Sequence, residues 1–443
     1  MPKELREDVI RQVRDKKVEF IHLWFTDVLG FLKSFTIDVE ELELAMTEGM
    51  GFDGSSILGF ARIQESDMIA LPDPTTLQIL PWRTGGQLVA TMFCDIVSPD
   101  DGKPYEADPR YVLKKNLKRA ADLGFTFFVG PELEYYYLAD DHHTEVLDHA
   151  TYFDQTTRDL SIDLRKDTVR ALKRFGIQVE YSHHEVGPSQ HEIDLRYCEA
   201  LKMADNVMTY RLVVKEIAQL AGVYATFMPK PIFGQAGSGM HVHQSLFSGD
   251  VNAFYDENGQ HHLSDVARHY VAGLLVHARE ICAVTNQWVN SYKRLVSGYE
   301  APVYICWANR NRSALVRVPM YKPGKEKATR IELRSPDPAC NPYLAFAVML
   351  AAGLEGIEKG YELPEPVTDN IYEMSDAERD RLGIGSLPED LYEAIKCMEG
   401  SDMLRRALGD QVFEWFLLNK KAEWNKYRTR VTPFEIDEYL PLL

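Results

Sequence analysis

The spacing of apolar positions divides the chain into recognisable segments. Residues 3–16 place Leu5, Val9, Ile10 and Val13 at helical intervals among charges, which predicts an amphipathic helix. The β-rich runs Val18–Trp24 and Leu32–Ile37 flank Asp27-Val-Leu-Gly30 and predict a hairpin. A short helix near 39–48 leads into the glycine-rich loop Gly49–Ser56, which presents one acid, Asp53. Strands near 76–82 and 87–97 complete a small α+β unit. Ser98–Pro109 is dense in turn formers and lacks periodicity, so the domain boundary is placed there, with units at 1–104 and 105–443. Beyond it, helical patterns at 111–122 and 158–175 are each followed by a strand, near 125–138 and 177–184. Long amphipathic helices follow at 198–221 and 264–285, and an alanine-rich helical region opens at Asn341–Lys359.

Four strand-like stretches in the larger unit gather polar side chains on one face. In Gly130–Leu138, period-two geometry projects Glu132 and Glu134 to one side and Leu133 and Tyr135 to the other. Carboxylates at that spacing repel each other and coexist most readily around a cation, and oxygen ligands select a hard ion such as Mg²⁺ or Mn²⁺. His183–Arg196 supplies Glu185, a Gly-Pro turn, and an alternating strand with Glu192, Asp194 and Arg196 on one face. Met240–Ser245 aligns His241, His243 and Ser245, so an imidazole can join the carboxylates. Arg330–Arg334 sets Glu332 between two arginines. Any one such strand is most simply a solvated face, but four in one domain predict a polar-lined sheet or funnel whose apolar side packs on helices.

Between the last two stretches lie a loop bearing Arg294 and Glu300, then Asn311–Arg317. Arg294, Arg312, Arg317 and Arg334 amid acids suit anionic substrate groups, because guanidinium binds phosphate and carboxylate bidentately. Gly234–Gly239 lacks the lysine of a phosphate-binding P-loop and is not a dinucleotide fingerprint, so phosphates would be held by metals and arginines. There is no G-x-S-x-G elbow and no thiol-enzyme signature.

Composition then narrows the function classes. Lys plus Arg is 49 and Asp plus Glu is 67, and the net charge of −18 disfavours nucleic acid or an anionic membrane as the main partner. The six cysteines lack C-x-x-C spacing, which argues against a zinc ribbon or a disulfide framework and fits reduced cytoplasm. The charged start does not read as a signal peptide, and no apolar run approaches the ~20 residues of a membrane span.

These stretches closely resemble type I glutamine synthetases. The resemblance is carried by Phe52–Ile57, Gly130–Glu134, His184-Glu-Val with Gln190-His-Glu192, Met228–Pro231, Gly237–His243, Asn290–Arg294, Gly298–Pro302, Asn311–Ser313, Arg330–Arg334 and Pro336–Leu344, in the family's order. It implies an α+β protein with a small β-grasp-like N-terminal domain and a larger catalytic domain built on a curved, polar-lined antiparallel sheet flanked by helices. It implies a dodecamer of two stacked hexameric rings whose active sites are shared between neighbouring subunits.

The resemblance further implies two divalent metals, one on Glu134, Glu185 and Glu192 and the other on Glu132, His241 and Glu332. Glu180, Tyr197, His243, Ser245, Arg312, Arg317 and Arg330 fall where the family binds ATP, and Arg294, Arg334, Gly237 and Glu300 where it binds glutamate. Glu300 lies on the flap that closes the site, and Asp53 would arrive from a neighbouring subunit to bind and deprotonate ammonium. The implied activity is ligation of ammonia to L-glutamate through γ-glutamyl phosphate. The alternatives are a γ-glutamyl ligase that uses an organic amine, which the intact Phe52-Asp-Gly-Ser-Ser argues against, and a non-catalytic relative, which the six metal ligands argue against.

Three positions depart from the family pattern. Ala236 replaces Asn beside the glutamate-binding glycine, Ser297 replaces Pro in the flap, and Asn286-Gln-Trp-Val-Asn290 replaces Asn-Pro-Thr-Val-Asn. Arg62 lies where a subgroup of the family senses feedback by glutamine, and Tyr372 lies near a site adenylylated in another subgroup, in a context that argues against that modification. Nitrogen-regulatory proteins are candidate partners.

Overall fold

A computed structural model describes residues 3–55, 57, 67–82, 88–155, 157, 159–298, 301–309, 311–320 and 322–443. The expected hairpin forms from Val18–Thr26 and Leu32–Asp38, paired antiparallel. It extends a six-stranded sheet in the order 32–38, 18–26, 88–97, 67–72, 50–53, with Gln78–Ile79 added on 88–97. Strand 18–26 runs parallel to 88–97 and the other pairs are antiparallel. The helix Lys3–Asp15 buries Val9 and Val13 in the same core.

This unit differs from the sequence expectation in two respects. Gly49–Ser56 is not simply a loop: Met50–Asp53 forms a strand against Asp67–Pro72. Its glycines read as turn formers, yet Phe52 packs on Phe25 with ring centroids 4.9 Å apart. That tertiary contact outweighs weak local propensity. The expected strand near 76–82 is reduced to a 3₁₀ turn, Pro74–Thr76, and two strand residues.

The larger unit is built on a ten-stranded sheet whose central path runs 307–309, 316–318, 331–333, 240–248, 126–138, 190–195, 179–184. Within this sheet, only 307–309 and 316–318 pair in parallel among the described residues. One face is apolar: Leu133, Tyr135, Ile193 and Val242 are fully buried, and Tyr210 of helix Ala200–Leu220 donates to the Leu133 carbonyl. The helix Pro342–Lys359 is apolar around nearly its whole circumference and is correspondingly central, packed between Pro109–Asp122 and Asp265–Val276. The helix expected over 264–285 is two helices, Asp265–Val276 and Ala278–Thr285, joined at His277. The buried face continues across the junction, so periodicity alone does not register the break.

The two units are tied by buried polar contacts. Arg110 donates to both oxygens of Asp205 at 3.2 and 3.1 Å, and to Asp73 at 2.7 Å, and is also paired with Asp95. Asn341 caps helix Pro342–Lys359 and donates to the Asp27 and Val28 carbonyls in the N-terminal hairpin.

Candidate active site

Strand pairing turns distant sequence positions into cross-strand rows. Glu132 stands opposite His241 on one side and Asp194 on the other. Glu134 faces Glu192, which in turn faces His183, and Glu332 lies between His243 and Arg317. The polar face of the sheet therefore concentrates acids, imidazoles and guanidinium groups.

Their side chains line a cavity of about 750 Å³. All six expected metal ligands, Glu132, Glu134, Glu185, Glu192, His241 and Glu332, border it. So do Ala236 and Gly237, together with Arg294, Arg312, Arg317 and Arg334. A smaller cavity of about 180 Å³ is bordered by Glu180, Tyr197, His243, Ser245 and Arg330, and shares Glu132 and Tyr181 with the first. The residues expected to bind nucleotide are thus split, with two arginines in the larger space and the rest in the smaller.

Three expected residues stand apart. Asp53 is exposed at the end of its strand, and Ser55 donates to its carboxylate from both N and Oγ, which holds its pKa below the usual range. It is not among the described residues bordering either cavity. Arg62 and Glu300 lie outside the described residues, although Gly298 and Ala301, on either side of Glu300, border the larger cavity. Arg196 is corrected: the strand ends at Leu195, so Arg196 leaves the alternating face and is exposed.

Carboxylate crowding dominates the electrostatics. Burial raises the pKa of Glu192, and Asp194, Glu134, Glu132 and Glu185 raise it further. Burial and Glu132 push Asp194 up to about 7. Burial also works against ionisation of Glu132, but His243 Nε2 at 2.6 Å and His241 Nδ1 at 3.3 Å outweigh it and hold Glu132 well below the usual range. Glu332, fully buried, is bracketed by Arg334 Nη1 at 2.7 Å and by Arg317. Arg330 does not join that pair but donates to His243 Nδ1 at 3.1 Å.

Three compact ligand groups result: Glu132 with His243 and Glu332, Glu132 with Glu192 and His241, and His183 with Glu185 and Glu192. Glu134 borders the same space while accepting from Gln190 Nε2 at 3.0 Å and Gly239 N at 2.9 Å. Buried carboxylates that mutually oppose ionisation, beside neutralisable imidazoles, form a donor set that fits a hard divalent cation.

On the other side of the cavity Arg294 is buried and donates only to carbonyls, those of Arg334, Ser335 and Pro336. Its charge has no carboxylate in direct contact among the described residues, and burial lowers its pKa. A side chain at Gly237 would put Cβ 2.7 Å from Arg294 Cγ, and at Gly239 2.5 Å from Arg294 Nη2, so this loop must be glycine for the guanidinium to lie against it. Asp194, His183, Tyr152, Tyr181 and Gln190 also border the cavities and were not assigned from sequence. Alternation carried a signal for Asp194 only.

Residues 17–99 match the family model for the glutamine synthetase beta-grasp domain, and residues 106–439 match that for the glutamine synthetase catalytic domain. The chain belongs to the glutamine synthetase family. It is 54% identical over 443 residues to a glutamine synthetase of Mycolicibacterium smegmatis, covering 99% of each chain. It is 52% identical over 442 residues to one of Methanosarcina mazei, covering 99% of this chain and 98% of that one. A solved GmaS/ADP complex superposes with a TM-score of 0.89 at 31% identity, covering 98% of this chain and 99% of that chain. The β-grasp N-terminal fold and the curled sheet with its helices agree with the fold expected from sequence.

Two of the three departures from the family pattern have local structural roles. Gln287 donates to the Leu29 carbonyl of the N-terminal hairpin at 2.8 Å. Trp288 donates to the Ala339 carbonyl at 3.0 Å and packs on Phe31. The carbonyl of Ala236 accepts from Tyr136 at 2.7 Å, which fixes the loop where an asparagine side chain is missing. Nothing in the structure explains Ser297.

Proposed function

We propose that the chain joins ammonia to the γ-carboxylate of L-glutamate through γ-glutamyl phosphate, forming L-glutamine, ADP and phosphate at the expense of ATP. The observation that carries this reading is the pair of cavities meeting at Glu132, one bordered by Arg294, which has no carboxylate in direct contact among the described residues, and the other by Tyr197, Ser245 and Arg330. Glutamate takes the first, with its carboxylate on Arg294 and Arg334 and its amino end near Ala236 and Gly237. ATP takes the second, with Glu180, Tyr197, His243, Ser245 and Arg330 around the nucleoside and Arg312 and Arg317 reaching its phosphates.

Mg²⁺ or Mn²⁺ fits the carboxylate-rich wall, with Glu134, Glu185 and Glu192 holding one ion and Glu132, His241 and Glu332 a second, and it would neutralise phosphate charge during in-line transfer. Arg312 spreads the remaining charge on the transferring group. Glutamate attacks through its γ-carboxylate oxygen, and ammonia then displaces phosphate from the acyl carbon. Asp53 of a neighbouring subunit and Glu300 take the proton that ammonium must lose. Closure of the loop around Gly298 to Ala301 keeps water from the acyl phosphate.

A homo-oligomer, a dodecamer as in the family, supplies Asp53 to each site; feedback by glutamine at Arg62 and a cytoplasmic setting complete the reading. Glutamate labelled with ¹⁸O in its γ-carboxylate tests the chemistry. One label per turnover is expected in phosphate, and unlabelled phosphate would rule out carboxylate attack on ATP.

A further inference from the structure

Beneath the turn that carries Glu185 lies a buried polar cluster that does not border either cavity. His184, the residue before Glu185, is turned away from the cavity, with Nε2 3.0 Å from Asp148 Oδ1 and Nδ1 2.6 Å from the Glu185 carbonyl. The same Asp148 oxygen accepts from Ser189 N at 2.9 Å and Ala150 N at 3.2 Å. Ser189 returns the contact: its Oγ accepts from Asp148 N at 2.9 Å and Leu147 N at 2.6 Å. Asp148 and Ser189 thus bind each other reciprocally, side chain to backbone, across 41 residues of sequence.

Ser189 holds a left-handed backbone at φ 58°, a conformation a non-glycine residue keeps only when its surroundings impose it. Here Asp148 and Leu147 supply the constraint. The next residue, Gln190, closes the turn through Glu185 N and sends its side chain to Glu134 Oε2 and the Gly237 carbonyl. One anchor outside the cavity therefore fixes the turn from which Glu185 and Gln190 enter it. His191 also lies in this cluster beside Asp148 and His184, but its Nδ1 accepts from Arg165 Nη1 at 2.8 Å, which places the ring proton on the buried, unpartnered Nε2 and leaves neither nitrogen with a lone pair for a shared ion.

We propose that Asp148 is a positioning residue for Glu185, acting through His184 and Ser189 to set the divalent-cation affinity of the site. The proposal rests on Glu185 being a metal ligand, as proposed above. Groups that orient a metal ligand from outside the coordination sphere characteristically alter metal affinity, while leaving contacts to the other substrates in place.

The test is Mn²⁺ binding by the purified Asp148→Asn and Ser189→Ala proteins, followed by the electron paramagnetic resonance of free Mn²⁺. Dissociation constants are expected to rise about tenfold to a hundredfold, with the Mg²⁺ requirement for activity rising in parallel, KM for glutamate changing by less than about twofold, and excess Mg²⁺ restoring kcat. Ser189→Ala carries the test if Asp148→Asn does not fold, because it removes only the Oγ acceptor. Unchanged Mn²⁺ affinity in a folded variant, alongside weakened binding in Glu185→Ala, would overturn the positioning role and leave the metal reading standing. Unchanged affinity in Glu185→Ala itself would remove the premise.

Discussion

Glu132 stands directly across an antiparallel strand pair from His241, and its carboxylate lies 3.3 Å from His241 Nδ1. On its other flank it faces Asp194. One carboxylate is thus the meeting point of the imidazoles, the acids and both cavities, and its surroundings give the site its charge balance.

Loss of a proposed metal ligand at this wall should abolish activity, and the fold is kept where the substitution preserves the volume and an acceptor. Glu332 is fully buried between Arg317 and Arg334, so Glu332→Ala would leave two cations without a partner. Glu332→Gln keeps the volume and an acceptor. It is expected to lower kcat/KM by about a hundredfold or more, since even groups behind a ligand are worth about tenfold to a hundredfold. Steady-state kinetics with circular dichroism of the same sample checks both halves.

Asp53 should work in trans. It is exposed and is not among the described residues bordering the cavities of its own chain. Asp53→Ala subunits co-assembled with Glu332→Gln subunits should regain a measurable fraction of activity, because some sites receive an intact half from each. Verified mixed oligomers without recovery would argue against shared sites.

Glu300→Ala should release more phosphate per amide formed. The described residues Gly298 and Ala301 on either side of it border the larger cavity, and in the proposed reaction closure there would control water access to the acyl phosphate. Phosphate and glutamine measured in one reaction decide the point, and an unchanged ratio would mean that Glu300 does not gate the site.

Arg110→Ala should destabilise the protein by about 3–5 kcal/mol by leaving Asp73 and Asp205 without their shared cation, while Asp95 keeps Lys114. Arg110 does not border either cavity among the described residues, so KM for glutamate should be unaffected where the variant is folded. Denaturant unfolding and kinetics measured side by side check this.

Much of the site is legible in sequence because alternation reveals which face a side chain takes. Glu132 and Glu134, or His241 and His243, announce a polar face without further information. Register is not legible: Glu132 meets Asp194 and His241 only because three strands pair at one offset. Asp148 gave no sequence signal, since it is a single acid in an aperiodic stretch and matters through Ser189, far along the chain. The strand Met50–Asp53 is hidden by Gly51 within it and Gly49 and Gly54 beside it, because Phe52 is held by a ring contact with Phe25 that local propensity cannot express.

The central claim is tested most directly by incubating the purified protein with ¹⁵N-ammonium, L-glutamate, ATP and Mg²⁺ and identifying the product by mass spectrometry. The account predicts glutamine labelled at the side-chain amide, one phosphate per amide, and none after chelation of the metal. Turnover restricted to organic amines, or label-free glutamate alongside phosphate release, would contradict it.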